Sequence, residues 1–168
     1  MIKRLMLVFL LLGDFFPDFW LFRKFGSFWR YFFAKKYVAF MGANVNVQKR
    51  ARFSSLLKIG DNSGLGESCR LVGPITIGKN VMMGKNVLML TQNHAHDRVD
   101  IPMIEQGYEP IAPIEIEDDV WIGERVIILP GVHLHKGTIV GAGAVVTKSP
   151  PPYSIIGGSP AKVLKMRN

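Results

Sequence analysis

The stretch Ile116-Glu-Asp-Asp-Val-Trp121, Ile122-Gly-Glu-Arg-Val-Ile127, Ile128-Leu-Pro-Gly-Val-His133, Leu134-His-Lys-Gly-Thr-Ile139 decides the fold, because it repeats every six residues. Each hexad opens on an aliphatic residue, and its fifth position is again apolar or small: Val120, Val126, Val132, Thr138. The period runs on to Val140 and Val146. An earlier register precedes it with Val47, Phe53, Ile59, Leu65, Leu71, Ile77, Met83 and Met89 at first positions. All of these first positions are apolar in a chain that is 48% apolar. Chance would give such a run about 3 times in 100,000 before allowing for choice of register, so the period is a real signal.

A fifth position and the following first position are two residues apart, so on a strand they share one face. That face reads as the core, and Ala51, Leu57, Ser63, Cys69, Ile75, Val81 and Val87 extend the pattern. Second positions are often glycine (Gly60, Gly66, Gly78, Gly84, Gly123, Gly141), which assigns them to sharp corners. Each hexad is then a short strand and a corner. Three hexads close a triangular coil, and coils stack at ~4.8 Å into a mainly β prism of four to five turns. The pattern predicts a prism over residues 47–150, interrupted by a loop at 95–115, after a helical segment at 1–46 and before a tail at 151–168.

The segment at 1–46 differs in kind. Up to Arg52 there are ten Lys/Arg against two Asp/Glu, and from Phe53 onward eleven of each. The same front third holds fourteen of the eighteen aromatic residues. Basic and aromatic together point to a lipid surface or a hydrophobic partner rather than nucleic acid, for which no reading motif is present. Lys3-Arg4 and the apolar residues 5–12 look like the start of a signal peptide. They run into Gly13-Asp14-Phe-Phe-Pro17-Asp18 without a small-residue cleavage site, so secretion is not expected. A spanning helix needs ~20 apolar residues, and Asp14, Pro17 and Asp18 interrupt this one too early. Residues 19–40 carry Phe22, Phe25, Phe28, Trp29, Phe32 and Phe33 at helical spacing among Arg23, Lys24, Arg30, Lys35 and Lys36. That suits a helix lying in a membrane interface, or one whose aromatics pack on the prism or a neighbouring subunit. The lone Cys69 fits a reducing compartment, and its inward position makes it a core residue, not a nucleophile.

Sixth positions lie between two inward residues and face outward. His94 and Trp121 are two of them, and His94 opens the irregular segment His94-Ala-His96-Asp97. The run Ile77-Gly-Lys-Asn-Val-Met-Met-Gly-Lys-Asn-Val87 to His94, followed by Asp119-Val-Trp121-Ile-Gly123, resembles the hexapeptide-repeat acyltransferases, in particular their sugar O-acetyltransferases. The resemblance implies a left-handed parallel β-helix, although longer parallel crossovers are right-handed. It implies a homotrimer with active sites between prisms. It also makes the histidine before the loop the general base, which falls on His94, with His96 the second choice. An imidazole titrates at ~6.5 and serves as a base near neutral pH. Asp97, Glu105 and Glu124 are candidates to orient it. Asp97 and Trp121 fall on the acceptor side, where Trp121 stacks on acceptor or cofactor or lines a subunit interface.

The end of the chain, Gly141-Ala-Gly-Ala-Val-Val-Thr147-Lys148 through Gly157-Gly-Ser-Pro160-Ala-Lys162, resembles the part of the family that holds coenzyme A. That implies acetyl-CoA as co-substrate. Gly123, Gly141, Ala142 and Gly143 let a pantetheine arm lie along the backbone, Thr147 belongs to the same motif, and Lys148 and Lys162 are counter-charges for phosphates. His133 and His135, with His94 and His96, raise a metal site, but the ligand spacing of a three-histidine carbonic anhydrase sharing this fold is missing, so no metal is expected. Two departures bear on the acceptor. Gly64 stands where the sugar acetyltransferases place an acceptor-binding asparagine, and their N-terminal acceptor segment is replaced by the basic aromatic one. The expected activity is acetyl-CoA-dependent O-acetylation of a sugar in a surface glycan or its precursor. It would take place in the cytoplasm, with peripheral membrane contact through residues 1–40. Serine or amino-sugar N-acetylation and a non-catalytic β-helix scaffold are the alternatives.

Overall fold

In a computed structural model, residues 2–15 and 20–168 are described, with the side chains of 2, 4 and 20–24 excepted. The helix-breaking residues Pro17 and Asp18, and the side chains of Phe22, Arg23 and Lys24, therefore lie outside the described residues. The hexads build a three-faced prism of parallel strands. The first face stacks Phe40–Met41, Lys58–Ile59, Ile75–Ile77, Ile114–Ile116 and His133–Leu134. The second begins with Asn46–Val47 and Gly64–Leu65, then Met82–Met83, Trp121–Ile122, Ile139–Val140 and Ser154–Gly158. The third stacks Arg52–Phe53, Arg70–Val72, Leu88–Leu90, Ile127–Ile128 and Val145–Val146.

Partners on adjacent coils are 18 residues apart, as with Phe40 and Lys58 or Glu115 and His133. Three hexads do make one coil. Thr76 pairs with Glu115, 39 residues on, so 21 residues are inserted without disturbing the stacking. Every first and fifth position named above is buried, down to Ser63 and Thr138. These two hydroxyls are satisfied internally: Ser63 Oγ donates to Gly78 O at 2.8 Å, and Thr138 Oγ1 to His135 O at 2.7 Å. Each fully buried aliphatic side chain contributes about 1.5–3 kcal/mol, so the stacked rows carry the stability.

The glycines have a different role from the one their position suggested. The left-handed residues that turn the chain are at fourth positions, among them Asn44, Asn62, Asn80 and Asp119 with φ of 55–58°. Asn and Asp visit this region more readily than other residues. Their amides form a ladder, Asn44 Nδ2 donating to Asn62 Oδ1 at 3.2 Å and Asn62 Nδ2 to Asn80 Oδ1 at 3.3 Å. Second-position glycine instead answers the close approach of coils. A Cβ at Gly60 would lie 2.8 Å from the carbonyl carbon of Gly78, and one at Gly123 would lie 2.6 Å from Ala142 N.

Strand pairing starts at Phe40–Met41, one hexad before residue 47. Ahead of it, helices α1 (Ile2–Leu12) and α2 (Trp20–Tyr37) pack together and on the prism. Phe9, Trp29 and Phe33 form the contact between them: Phe9 and Phe33 stack at 5.0 Å, and Trp29 Nε1 donates to Phe9 O at 2.7 Å. Arg30, only 6% exposed, ties both helices to the first coil through Val47 O (2.8 Å) and Gly13 O (2.9 Å). The aromatics thus divide: Trp29 and Phe33 face inward, whereas Phe28 and Phe32 are exposed. At the other end, Ser154–Gly158 extends the second face and turns back antiparallel as Ala161–Met166. Helices and hairpin each cover one end of the stack, as an open solenoid requires.

Candidate active site

The inserted residues form an ordered arm. It leaves the third face after Leu90 and rejoins at Ala112, whose N–H donates to Thr91 O at 2.8 Å. Glu109 N–H donates to Asn93 O (3.0 Å) and Ala95 N–H to Gly107 O (3.1 Å), making an antiparallel ribbon with His94 opposite Tyr108. His94 therefore sits on the arm, and its direction comes from that pairing rather than from the hexad register. The loop starts four residues earlier than expected, at Thr91. Beyond Gly107 the tip is closed by Gln106, whose side chain donates to Arg98 O at 2.7 Å and accepts from Arg98 N–H at 3.0 Å.

The exposed imidazole of His94 lies against the Tyr108 ring, with centroids 4.3 Å apart and planes tilted by 30°. A stacked aromatic limits ring rotation while leaving the ring nitrogens accessible. His96 Nδ1 is 3.2 Å from His94 O and 3.6 Å from Glu109 Oε1. The carboxylate facing a histidine of this pair is thus Glu109. Asp97 is exposed, Glu105 ends a short 3-10 turn (Met103–Glu105) at the tip, and Glu124 lies on a different edge of the prism. Tyr108 and Glu109 escaped the sequence reading because their partnership with His94 and His96 depends on how the arm folds back.

The remaining site residues fall on two edges. Val145–Val146 stacks over Ile127–Ile128 and Leu88–Leu90, so exposed Thr147 and Lys148 follow on the edge between third and first faces from which the arm springs. Trp121, 50% exposed, is on the second face, paired with Met82 and Ile139. Gly123 and Gly141 follow it on the edge between second and third faces. There Gly141 N–H donates to Ile156 O at 2.8 Å, and Gly157 pairs with Lys162. Ala142 and Gly143 are exposed on that edge. Gly143 has φ +71°, and a Cβ there would meet nothing within 4 Å. This open strip of small residues, with Lys162 at its end, suits a long thin ligand, whereas Gly123 is filled by the next coil.

In one chain, then, the His94 arm with Lys148 and the glycine edge with Trp121 lie on opposite sides of the third face. The width of the third face, one hexad of chain, separates the two edges. Cys69 is fully buried, and burial pushes its thiol up to about 12, which removes it as a nucleophile.

Residues 113–148 match the family model described as bacterial transferase hexapeptide (six repeats). A putative acetyltransferase of Schizosaccharomyces pombe is 49% identical over 94 residues, covering 56% of this chain and 44% of the relative. The galactoside O-acetyltransferase of Escherichia coli is 33% identical over 138 residues, covering 80% of this chain and 66% of the relative. The chain thus spans less than two thirds of the length of either relative. Among solved structures, a galactoside acetyltransferase in complex with coenzyme A superposes with a TM-score of 0.79 at 28% identity, covering 99% of this chain and 81% of that one.

Proposed function

We propose that this chain, which belongs to the hexapeptide-repeat transferases of the left-handed β-helix fold, transfers an acetyl group from acetyl-CoA to a sugar hydroxyl. The observation that carries the reading is the exposed His94 imidazole, stacked on Tyr108 on an arm that springs from the same edge of the prism as Lys148. Acetyl-CoA supplies the acyl group as a thioester. His94 takes the proton of the acceptor hydroxyl as its oxygen forms the new C–O bond. When the C–S bond breaks, the imidazolium returns that proton to the sulfur, so no acyl-enzyme is required. Tyr108 limits the ring's rotation. The strip Gly141, Ala142 and Gly143 takes the pantetheine arm, Thr147 lines the edge above the arm, and Lys148 and Lys162 neutralise phosphate.

Because the two halves lie on different edges, the site is completed between subunits: the arm of one prism faces the glycine edge of the next, as in a cyclic homotrimer. Sedimentation giving a single-chain mass for the active enzyme would overturn that arrangement. The activity itself is tested by thermal unfolding with coenzyme A. At 100 times its dissociation constant, coenzyme A stabilises the fold by ~2.7 kcal/mol. A melting temperature unchanged by coenzyme A favours the scaffold reading, and transfer to serine or amino sugars but not to sugar hydroxyls replaces the acceptor.

The acceptor belongs to a surface glycan or its lipid-linked precursor, met in the cytoplasm at a membrane surface. No helix among the described residues is long and apolar enough to cross a membrane. The outer sides of α1 and α2 nevertheless expose Leu5, Val8, Leu12, Phe28 and Phe32, with Lys35 and Lys36 beside them, and the 3-10 turn after α1 exposes Phe15. Lys36 Nζ lies 4.2 Å from the Phe32 ring centroid. An apolar face edged with cations suits peripheral contact with anionic lipid. The protein should co-sediment with vesicles containing phosphatidylserine and be released by salt. Equal recovery with and without vesicles would exclude the contact.

A further inference from the structure

The third edge of the prism, between first and second faces, carries neither half of the proposed active site. Down this edge the second positions are Gly42, Gly60, Gly78, Glu117 and His135. The last two replace the small residue with groups able to ligate a metal. One residue outward from each buried Ile116 and Leu134, the pairs Glu115 with Glu117 and His133 with His135 project from adjacent coils on the same side of the sheet. Glu115 pairs directly with His133.

We propose that Glu117, His133 and His135 form a binding site for one divalent transition-metal ion of the zinc class. Both imidazoles converge on a single oxygen: His133 Nε2 is 2.8 Å and His135 Nδ1 3.2 Å from Glu117 Oε1. One ligand atom from each of the three residues lies within 4.8 Å of the others. A tetrahedral ion with bonds of ~2.0–2.1 Å needs its ligand atoms ~3.3 Å apart, so the two histidine–carboxylate edges, at 2.8 and 3.2 Å, need open only slightly to admit it. Two histidines and one carboxylate leave the fourth position to water.

The surroundings hold the three groups in that geometry. Glu117 Oε2 accepts the Lys136 N–H at 2.7 Å, which leaves Oε1 aimed at the imidazoles. That backbone bond first, then His135 and the nearby His133, hold the Glu117 carboxyl below the usual carboxylate range. The far nitrogen of His133, Nδ1, faces Glu115 Oε2 at 3.9 Å, an ion-pair separation that would have to close to a hydrogen bond for this carboxylate to orient a metal-bound His133. His133 N–H donates to Ser149 Oγ at 2.9 Å, and the two rings lie 4.0 Å apart. The His-X-His spacing on a strand differs from the three-histidine pattern sought in the sequence. The carboxylate from the next coil is what completes it.

Such an ion would clamp together the first two coils that follow the arm. The test uses the full chain without an affinity tag, stripped by chelator and titrated with Zn²⁺ by calorimetry, with Co²⁺ as a spectroscopic probe. One ion per chain is expected, with a visible cobalt spectrum of low coordination number. His133→Ala, His135→Ala and Glu117→Gln should each weaken binding at least ~10-fold, and Glu115→Gln by less. His96→Ala should leave affinity unchanged. Circular dichroism and the melting temperature of each apo variant separate lost ligands from lost fold. Absence of Zn²⁺ binding, or binding undiminished in the folded His133→Ala/His135→Ala double variant, overturns the proposal.

Discussion

His94→Ala lowers acetyl transfer, read as kcat/KM with acetyl-CoA and a sugar acceptor, by about 10²–10⁴-fold, the usual worth of a positioned base. Its melting temperature stays within a degree or two of wild type, because the side chain is exposed and anchors nothing in the core. His96→Ala is the comparison that gives this meaning. His96 faces Glu109 at 3.6 Å, and its loss should cost far less. If His96→Ala were the inactive variant, the base would be its neighbour. If both kept full activity, the base-catalysed reading would fail. Subunit mixing extends the test. Co-expressed His94→Ala and Lys162→Glu chains should recover activity that neither has alone, because a shared site pairs an intact arm with an intact glycine edge.

Gly84→Ala destabilises the prism by about 1–3 kcal/mol, the cost of overpacking against atoms that cannot step aside. The added carbon would lie 2.7 Å from Glu124 N and 2.8 Å from the carbonyl carbon of Gly123, both backbone of the next coil. At roughly 2–4 °C per kcal/mol for a chain of this size, the change is read directly as a fall in melting temperature. Gly141→Ala should cost less, since its nearest obstacle is Ile156 O at 3.3 Å. An unchanged melting temperature for Gly84→Ala would show that the stack relaxes along its axis.

The prism was legible because its cause is periodic: an inward side chain recurs at fixed spacing, and each one named is buried. The glycines were legible as special positions but not in their reason. Sequence shows that a side chain is missing, while the neighbouring backbone that excludes it belongs to a residue 18 or more positions away. The same distance hid the partners of the histidines. His94 and Tyr108 meet through a ribbon whose turn no local signal dates, and Glu117 meets His133 and His135 only because 18 residues bring one coil over another. The helices were divided by packing that composition does not record: Trp29 and Phe33 turn toward Phe9, while Phe28 and Phe32 on the same helix do not.

The arm enters at a corner, and the coils above and below it pair as though it were absent. Lengthening or replacing it therefore shifts no core residue, and each doubling of a loop adds only about 0.6 kcal/mol of closure entropy. The arm's sequence and the fold's stability are thereby separable. Exchanging residues 95–107 between such chains is a graft with His94 fixed at one end and Tyr108 at the other, and it asks nothing of the scaffold.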